Sequence, residues 1–271
     1  MTESSDRCRA FRQLHERGCF VIPNPWDIGS ARVLAQLGFK ALATTSAGFA
    51  WSVGRADNRV SLEATLDHLR AMSGAVDVPI NADFGGGFGV DAAAVAGHVT
   101  QAASTGIAGL SIEDSTGDPS QPLFDFTLAV DRIKAARQAI DQSRTGVLLT
   151  ARSEGFIAGR PDLAETLRRL TAFADAGADC LYAPGLKTMA DIKAVVSAVA
   201  PKPVNVLVAS DFTTVAELTA AGVRRISVGG ALARTAWAGF LSAAREIAEQ
   251  GTFASFSRAA SGVELNKLFT T

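Results

Sequence analysis

Val78-Pro79-Ile80-Asn81-Ala82-Asp83 and Gly109-Leu110-Ser111-Ile112-Glu113 are two short apolar runs, each closing on a carboxylate. Between them lies an Ala-rich stretch of helical period, 91–104, that stops at Thr105-Gly106-Ile107. Strand length on either side, helix length between, and a glycine at the stop describe a strand–helix–strand unit. Working outward, the unit repeats. Runs suited to strands fall at 19–23, 41–45, 79–83, 109–113, 147–152, 180–184, 204–208 and 225–228. Helical segments fall at 28–37, 61–76, 91–104, 125–141, 163–176, 189–198, 214–221 and 231–250. Leu37-Gly38-Phe39, Ala176-Gly177-Ala178 and Ala221-Gly222-Val223 repeat the glycine stop,. Ser61 and the run Asp211-Phe212-Thr213-Thr214 offer side-chain acceptors ahead of their helices,. Eight such units in 271 residues predict an α/β fold, a (β/α)8 TIM-type barrel,. The rival, an open doubly wound sheet, lacks its glycine fingerprint, because Asn24-Pro25-Trp26-Asp27 follows the first strand instead,.

A hydrophobic content of 48% suits one large domain with a complete core, expected over 1–271,. Lys and Arg number 26 against 27 Asp and Glu, and no basic stripe interrupts that balance, which argues against nucleic acid,. The opening residues are polar and no run has the length and purity of a membrane span, so a soluble, cytoplasmic protein without a membrane partner is expected,. The cysteines Cys8, Cys19 and Cys180 are odd in number and far apart, which implies no disulfide framework,. Cys19 and Cys180 read as buried, inert thiols, and Cys8 as part of a polar terminus without a role. After the eighth unit comes another helical segment, 252–268. Its apolar residues Phe253, Phe256, Val263, Leu265 and Leu268, with Phe269, need a surface to cover, on the same subunit or on a neighbour.

In a parallel barrel the loops that follow the strands share one face, and side chains there converge. Asp83 and Glu113 end the third and fourth strands, Asp57 lies in the loop after the second, and Arg152 ends the fifth. Carboxylate oxygens suit Mg2+ or Mn2+, some of them through water. The guanidinium suits a substrate carboxylate held in bidentate fashion, or an ion pair with the acids. Asp114 follows Glu113 directly and should point the other way. The small residues of Thr44-Thr45-Ser46-Ala47-Gly48 would let backbone amides and the Ser46 hydroxyl approach a ligand oxygen,. Gly85-Gly86-Gly87-Phe88-Gly89 suggests a mobile or close-packed loop. His15, His68 and His98 avoid the strand ends, so packing roles are expected, and neither a Ser-His-Asp mechanism nor a zinc site has support,. Glu154, Tyr182 and Asn205 are spare polar groups near strand ends.

Taken in order, Asn24-Pro25-Trp26-Asp27, Thr44-Thr45-Ser46-Ala47-Gly48, Asn81-Ala82-Asp83, Gly109-Leu110-Ser111-Ile112-Glu113-Asp114-Ser115, Ala151-Arg152-Ser153-Glu154 and Ala176-Gly177-Ala178-Asp179 resemble the isocitrate lyase/phosphoenolpyruvate mutase superfamily. The resemblance runs from about residue 20 to 230. It implies a Mg2+-dependent barrel acting on small 2-oxo or 2-hydroxy acids, breaking or forming C–C or C–P bonds through a pyruvate-like enolate. It implies that Asp57, Asp83 and Glu113 surround the Mg2+ (or Mn2+), and that Ser46, Ala47 and Gly48 bind the substrate carboxylate and oxo group. By the same resemblance, Arg152 binds the carboxylate or the developing charge, so that Arg152, Ser46 and Glu113 carry catalysis. Asn205, with Tyr182 and Glu154, is a spare polar group at a strand end, suited to binding and tuning substrate or to a structural role. The resemblance implies a homotetramer or homodimer with the C-terminal helix exchanged between subunits.

Two departures stand out. Asn81 replaces the first acid of an Asp-Ala-Asp pattern. The loop Ser115-Thr116-Gly117-Asp118-Pro119-Ser120-Gln121-Pro122 carries neither the Lys-Lys-Cys-Gly-His-type motif of the lyases nor the Lys- and Asn-containing gate of the mutase. The expectation is a carbon–carbon lyase. The alternatives are a phosphonopyruvate-type mutase or hydrolase, an oxaloacetate decarboxylase or hydrolase, and a catalytically silent oxo-acid-binding barrel.

Overall fold

A computed structural model describes residues 3–270. All eight expected strands form: β1 (Phe20–Ile22), β2 (Leu42–Ala43), β3 (Ile80–Asp83), β4 (Gly109–Glu113), β5 (Leu148–Arg152), β6 (Cys180–Tyr182), β7 (Val204–Leu207) and β8 (Arg225–Ser227). They pair in parallel in the order β1-β8-β7-β6-β5-β4-β3-β2. The Ala43 N–H donates to the Pro23 carbonyl at 3.0 Å, drawing β2 back towards β1. Asn24 laces the seam: its Nδ2 donates to the Thr44 carbonyl at 3.0 Å, and its Oδ1 accepts from the N–H groups of Val228 and Gly229 at 2.9 Å each. The result is a nearly closed (β/α)8 barrel. The residue that marked the absence of a nucleotide-binding glycine turn is a closure device.

The helices between strands are α2 (Ile28–Gln36), α4 (Leu62–Ala75), α5 (Ala92–Ala103), α6 (Phe126–Ser143), α7 (Leu163–Asp175), α8 (Met189–Val199) and α9 (Val215–Ala220), with α10 (Ala231–Gln250) after β8. The expected caps are present: Ser61 accepts from the Ala64 N–H, and Thr214 with Glu217 forms a reciprocal capping box. The glycine stops adopt left-handed backbone, as at Gly106 (φ 90°) and Gly177 (φ 102°),. Among the described residues no helix is long and apolar enough to cross a membrane.

Three features depart from the expectation. First, the polar N-terminal segment is a helix, α1 (Glu3–Glu16), that precedes the barrel. Its Phe11 is fully buried, and a Cβ on Gly109 would lie 2.6 Å from the Phe11 ring, so β4 needs a glycine there for the ring to fit. Cys8, expected to have no role, is a buried core residue of this helix, and burial pushes its thiol up to about 11. Second, Ser46–Ser52 is a helix, α3, where a small-residue loop was expected. Third, α10 is not seated along the barrel. Ala233 is its one buried residue, while Phe240 is 60% exposed and Leu232, Leu241 and Ile247 are exposed as well. The segment after it is a 3-10 turn (Ala254–Arg258) and a short helix, α11 (Gly262–Lys267), rather than one continuous helix. Glu246 ties the turn down by accepting from the Thr252 hydroxyl and the Ala254 and Ser255 N–H groups. Gln36 of α2 donates to the Leu268 carbonyl at 2.6 Å, so the tail has a foothold on its own subunit.

Candidate active site

The register sets the site. Glu113 pairs with Arg152, Arg152 with Tyr182, and Tyr182 with Asn205, which places these residues side by side on successive strands. Arg152 is the hub. Its Nη1 donates to Asp83 Oδ1 at 2.7 Å, its Nε to Glu154 Oε1 at 2.9 Å, and its Nη2 lies 3.2 Å from Glu113 Oε2. Its Cζ sits 5.1 Å from the centre of the Tyr182 ring. Burial works against the charge, but Glu154, Glu113 and Asp83 outweigh it and hold the guanidinium ionised,. A guanidinium has five N–H donors. Two donate to Asp83 and Glu154, Nη2 forms an ion pair with Glu113, and among the described residues the other N–H groups have no hydrogen-bond acceptor.

Glu154 is the residue that sequence reasoning left as a spare. It is 3% exposed, and its N–H donates to Asp114 Oδ1 at 2.8 Å. Asp114 turns away from Arg152 and pairs with Arg169 at 3.1 Å, as strand alternation requires,. Glu154 lies two residues after Arg152, just past the strand, where alternation no longer gives direction. Desolvation raises the carboxyls of both Glu113 and Glu154 above their usual range, with Arg152 opposing and the neighbouring acids adding to the rise. Burial likewise pushes the Tyr182 phenol up to about 12, so it stays protonated.

The start of α3 joins this cluster. The Ser46 N–H donates to Asp83 Oδ2 at 3.0 Å, and the Ser46 side chain hydrogen-bonds Asp57. Asp57 is at the exposed rim, yet local desolvation raises its carboxyl, with Asp83 adding to the rise. Gly48 donates to Thr45 Oγ1 at 3.3 Å, and a Cβ there would meet Thr45 Cγ2 at 2.7 Å and the Trp26 Cβ at 2.8 Å. The amides of Ser46 and Gly48 are therefore committed within the protein, and Gly48 is a packing requirement. Ala47 lines the cavity and, among the described residues, its N–H has no acceptor. Asn205 lies in the floor, 2% exposed, with Oδ1 accepting from Arg225 Nε at 2.8 Å and Nδ2 donating to Ser227 at 2.9 Å. Its amide is built into the barrel interior.

Ser46, Ala47, Asp57, Asp83, Arg152, Tyr182 and Asn205 line an axial cavity of about 190 Å3, which adjoins an outer cavity of about 640 Å3 at Thr44, Thr45, Ser46, Asp57 and Asp83; Glu113 lines the outer one. His68 borders the outer cavity, stacked on Phe49 at 3.8 Å. Its helix position suggested a packing role and hid this one.

Asp57, Asp83 and Glu113 do not form a direct three-carboxylate chelate. Among the described residues no three His, Cys, Asp or Glu side chains converge on one ion, and Arg152 bonds both Asp83 and Glu113. The donor set nevertheless fits a hydrated divalent cation. Four carboxylates, Asp57, Asp83, Glu113 and Glu154, face one guanidinium. Asn81 Oδ1 is buried with no hydrogen-bond partner, and Asn81 lines the axial cavity. Mg2+ commonly keeps several waters and takes few protein oxygens directly. A neutral amide oxygen plus water-mediated carboxylates meets that requirement.

The chain matches the family model of phosphoenolpyruvate phosphomutase over residues 11–248. It is 32% identical to an uncharacterized protein of Mycobacterium tuberculosis over 81% of each chain. A solved structure from Burkholderia cenocepacia J2315, described as a lyase/mutase, superposes with a TM-score of 0.96 at 45% identity, covering 100% of this chain and 98% of that one. A phosphonopyruvate hydrolase solved with oxalate and Mg2+ superposes with a TM-score of 0.85 at 26% identity, covering 99% and 95%.

Proposed function

The chain belongs to the phosphoenolpyruvate phosphomutase family, and from that premise we propose that it is a Mg2+-dependent lyase that cleaves a C–C bond of a 2-oxo or 2-hydroxy carboxylic acid through a pyruvate-like enolate. The observation that carries this reading is Arg152, held by hydrogen bonds to Asp83 and Glu154 and an ion pair with Glu113, in the lining of an axial cavity of about 190 Å3. Its N–H groups without an acceptor take the substrate carboxylate. The Ala47 N–H offers a further donor to the oxo oxygen. Asp83, Glu113 and Glu154 hold the guanidinium still, so that it need not reorganise as negative charge develops. Asp57, Asp83 and Glu113, through water, and the Asn81 amide oxygen would hold Mg2+, or Mn2+. When bound, the cation supplies positive charge to the enolate oxygen. Tyr182, a neutral phenol beside Arg152, closes the site on the β6 side.

Calorimetry with oxalate, in the presence and absence of Mg2+, tests the site. The expected result is binding that requires the metal. Absence of heat at millimolar oxalate with Mg2+ sinks the reading.

A second reading, a silent oxo-acid-binding barrel, has one observation in its favour. The loop after β4 hydrogen-bonds to itself, with the Thr116 hydroxyl donating to the Gln121 carbonyl and the Ser120 N–H to Asp118 at 2.8 Å, and it brings no thiol, imidazole or amine. Metal-dependent turnover of oxaloacetate, methylisocitrate, dimethylmalate or phosphonopyruvate removes that reading. The substrate turned over also separates C–C cleavage from decarboxylation, hydrolysis and phosphonate chemistry.

We further propose a homotetramer or homodimer built by exchange of the C-terminal region. Each chain extends a helix with exposed apolar residues, α10, and leaves its own barrel without an eighth helix seated along its length. A second copy satisfies both at once, which is the logic of domain swapping.

A further inference from the structure

The axial cavity accommodates the reacting end of a small oxo-acid, and the larger outer cavity, about 640 Å3, is left without a task. The loops 57–59 and 115–117 form a polar part of its wall, and the rest includes an apolar stretch. Phe84 and Leu69 are fully buried behind it, Phe49 and Val60 are half-buried, and Phe88 and Val90 present exposed apolar surface to it. Phe84 and Phe88 meet edge to face at 5.0 Å, and Phe49 stacks on His68 at 3.8 Å. Burial pushes the His68 imidazole down to about 4, so this ring beside Phe49 is uncharged at neutral pH.

The wall is also held rigidly. The glycine-rich segment after β3 is not loose. Arg132 donates to the carbonyls of Gly86, Gly89 and Val90, and His98 Nδ1 lies 2.9 Å from the Gly87 carbonyl. Within it Phe88 adopts φ 58°, a left-handed conformation unfavourable for a bulky residue, while its ring lines the cavity,. Strain of that kind persists where the surroundings enforce it, and it often marks a ligand-facing position. The two cavities meet at Ser46, Asp57 and Asp83, so a ligand anchored on Arg152 has a direct path into the apolar space.

We infer that the substrate is a 2-oxo or 2-hydroxy acid bearing a bulky apolar substituent, seated against Phe49, Val60, Phe88 and Val90. This deepens the oxo-acid reading above and rests on it. A small-molecule pocket commonly combines apolar side chains with placed polar groups, and this cavity sets an apolar stretch beside the polar site,. One methylene in such a pocket is worth roughly tenfold or more in discrimination.

The test is displacement of oxalate from the Mg2+-loaded protein by pyruvate and by 2-oxo-4-phenylbutanoate. The expected result is that the phenyl compound competes at least about tenfold better than pyruvate. Val60→Trp, which fills the pocket, should abolish that advantage and leave oxalate binding unchanged. Should that variant fail to fold, Val60→Asp sets a charge on the same wall and should remove the advantage too. Equal competition by the two oxo-acids on a protein that binds oxalate overturns the apolar pocket and leaves the oxo-acid site standing. An advantage that survives both substitutions overturns the pocket's location. Failure to bind oxalate at all overturns the site and, with it, this assignment.

Discussion

Asp83 and Arg152 stand on strands separated by β4, yet Arg152 Nη1 donates to Asp83 Oδ1 at 2.7 Å while the other Asp83 oxygen accepts the Ser46 N–H at 3.0 Å. One carboxylate thus couples the guanidinium to the first turn of α3. Losing the guanidinium removes the partner of three carboxylates, not of one.

Arg152→Ala should therefore destabilise the fold by about 3–5 kcal/mol, the usual cost of stranding one partner of a buried ion pair. Arg152→Lys should fold better but still lose oxalate binding, because an ammonium cannot match the planar fork that serves three acids and a carboxylate together. Urea denaturation and calorimetry on the two variants separate the effects. Wild-type oxalate affinity in Arg152→Lys would remove the guanidinium from substrate binding.

Much of this site was legible because strand ends are legible. Asp83, Glu113 and Arg152 each close an apolar run, and register alone makes Glu113 and Arg152 neighbours. The sign of their relation was not. Whether Arg152 faces substrate or acids depends on rotamers, and the structure shows it hydrogen-bonded to Asp83 and Glu154 and ion-paired with Glu113. Glu154 was underweighted because it lies beyond the strand, where alternation stops giving direction. The role of Gly48 was misread because a clash with Trp26 and Thr45 is a tertiary fact. Helix α1 gives a weak signal because most of its residues are polar; among the described residues Cys8, Phe11 and His15 are buried and Leu14 packs against the core. Periodicity also placed the helix 231–250 correctly but could not reveal that it leaves the barrel.

Gly48→Ala should cost about 1–3 kcal/mol, the range for forcing atoms into a packed site. Because the added methyl pushes against the N-terminal turn of α3, it should also shift Ser46 and Ala47 and weaken oxalate binding. Thermal denaturation with parallel oxalate titrations checks both effects. An unchanged melting temperature would contradict the packing role.

His15 supplies a pH dependence at the other end of the barrel. Its Nδ1 bonds the Phe11 carbonyl at 2.8 Å, and its Nε2 faces Arg225 Nη1 at 3.4 Å. Burial, then the Arg225 charge, lowers its pKa from 6.5 to about 3. Above pH 6.5 the imidazole is neutral in both states and contributes no slope. Below it the unfolded chain binds a proton that the folded one refuses, so stability falls as pH falls, levelling near pH 3. At about 1.4 kcal/mol per unit, this group removes about 3 kcal/mol by pH 4.5. His15→Gln should flatten the pH dependence of urea denaturation by that amount, and an identical slope in the variant would exclude His15 as its source.

Asn81→Asp restores a carboxylate beside an apolar neighbour, since a Cβ on Gly109 would lie 2.6 Å from the Phe11 ring and 2.8 Å from Asn81 Oδ1. Without metal, an extra buried charge near Asp83 and Glu113 should destabilise the protein or hold the new carboxyl protonated. With Mg2+ the same charge gains a partner. The variant should melt below wild type in chelator, recover in millimolar Mg2+, and bind Mg2+ more tightly. A melting temperature insensitive to Mg2+ would show that position 81 does not address the ion.

The exposed face of α10 predicts the last outcome. Phe240, Leu241 and Ile247 lie on a helix of 20 residues that buries Ala233 alone. An apolar row of that kind on an isolated chain invites association, and each copy offers both the helix and the unfilled barrel side. Phe240→Asp sets a charge in the middle of that row. It should leave the barrel's own core untouched, because Phe240 is not among the residues that close it, and shift the protein from a tetramer or dimer to a monomer. Light scattering coupled to size exclusion reads the mass, and circular dichroism confirms the fold. A wild-type protein that elutes as a monomer refutes the exchange, and so does a Phe240→Asp variant with unchanged assembly.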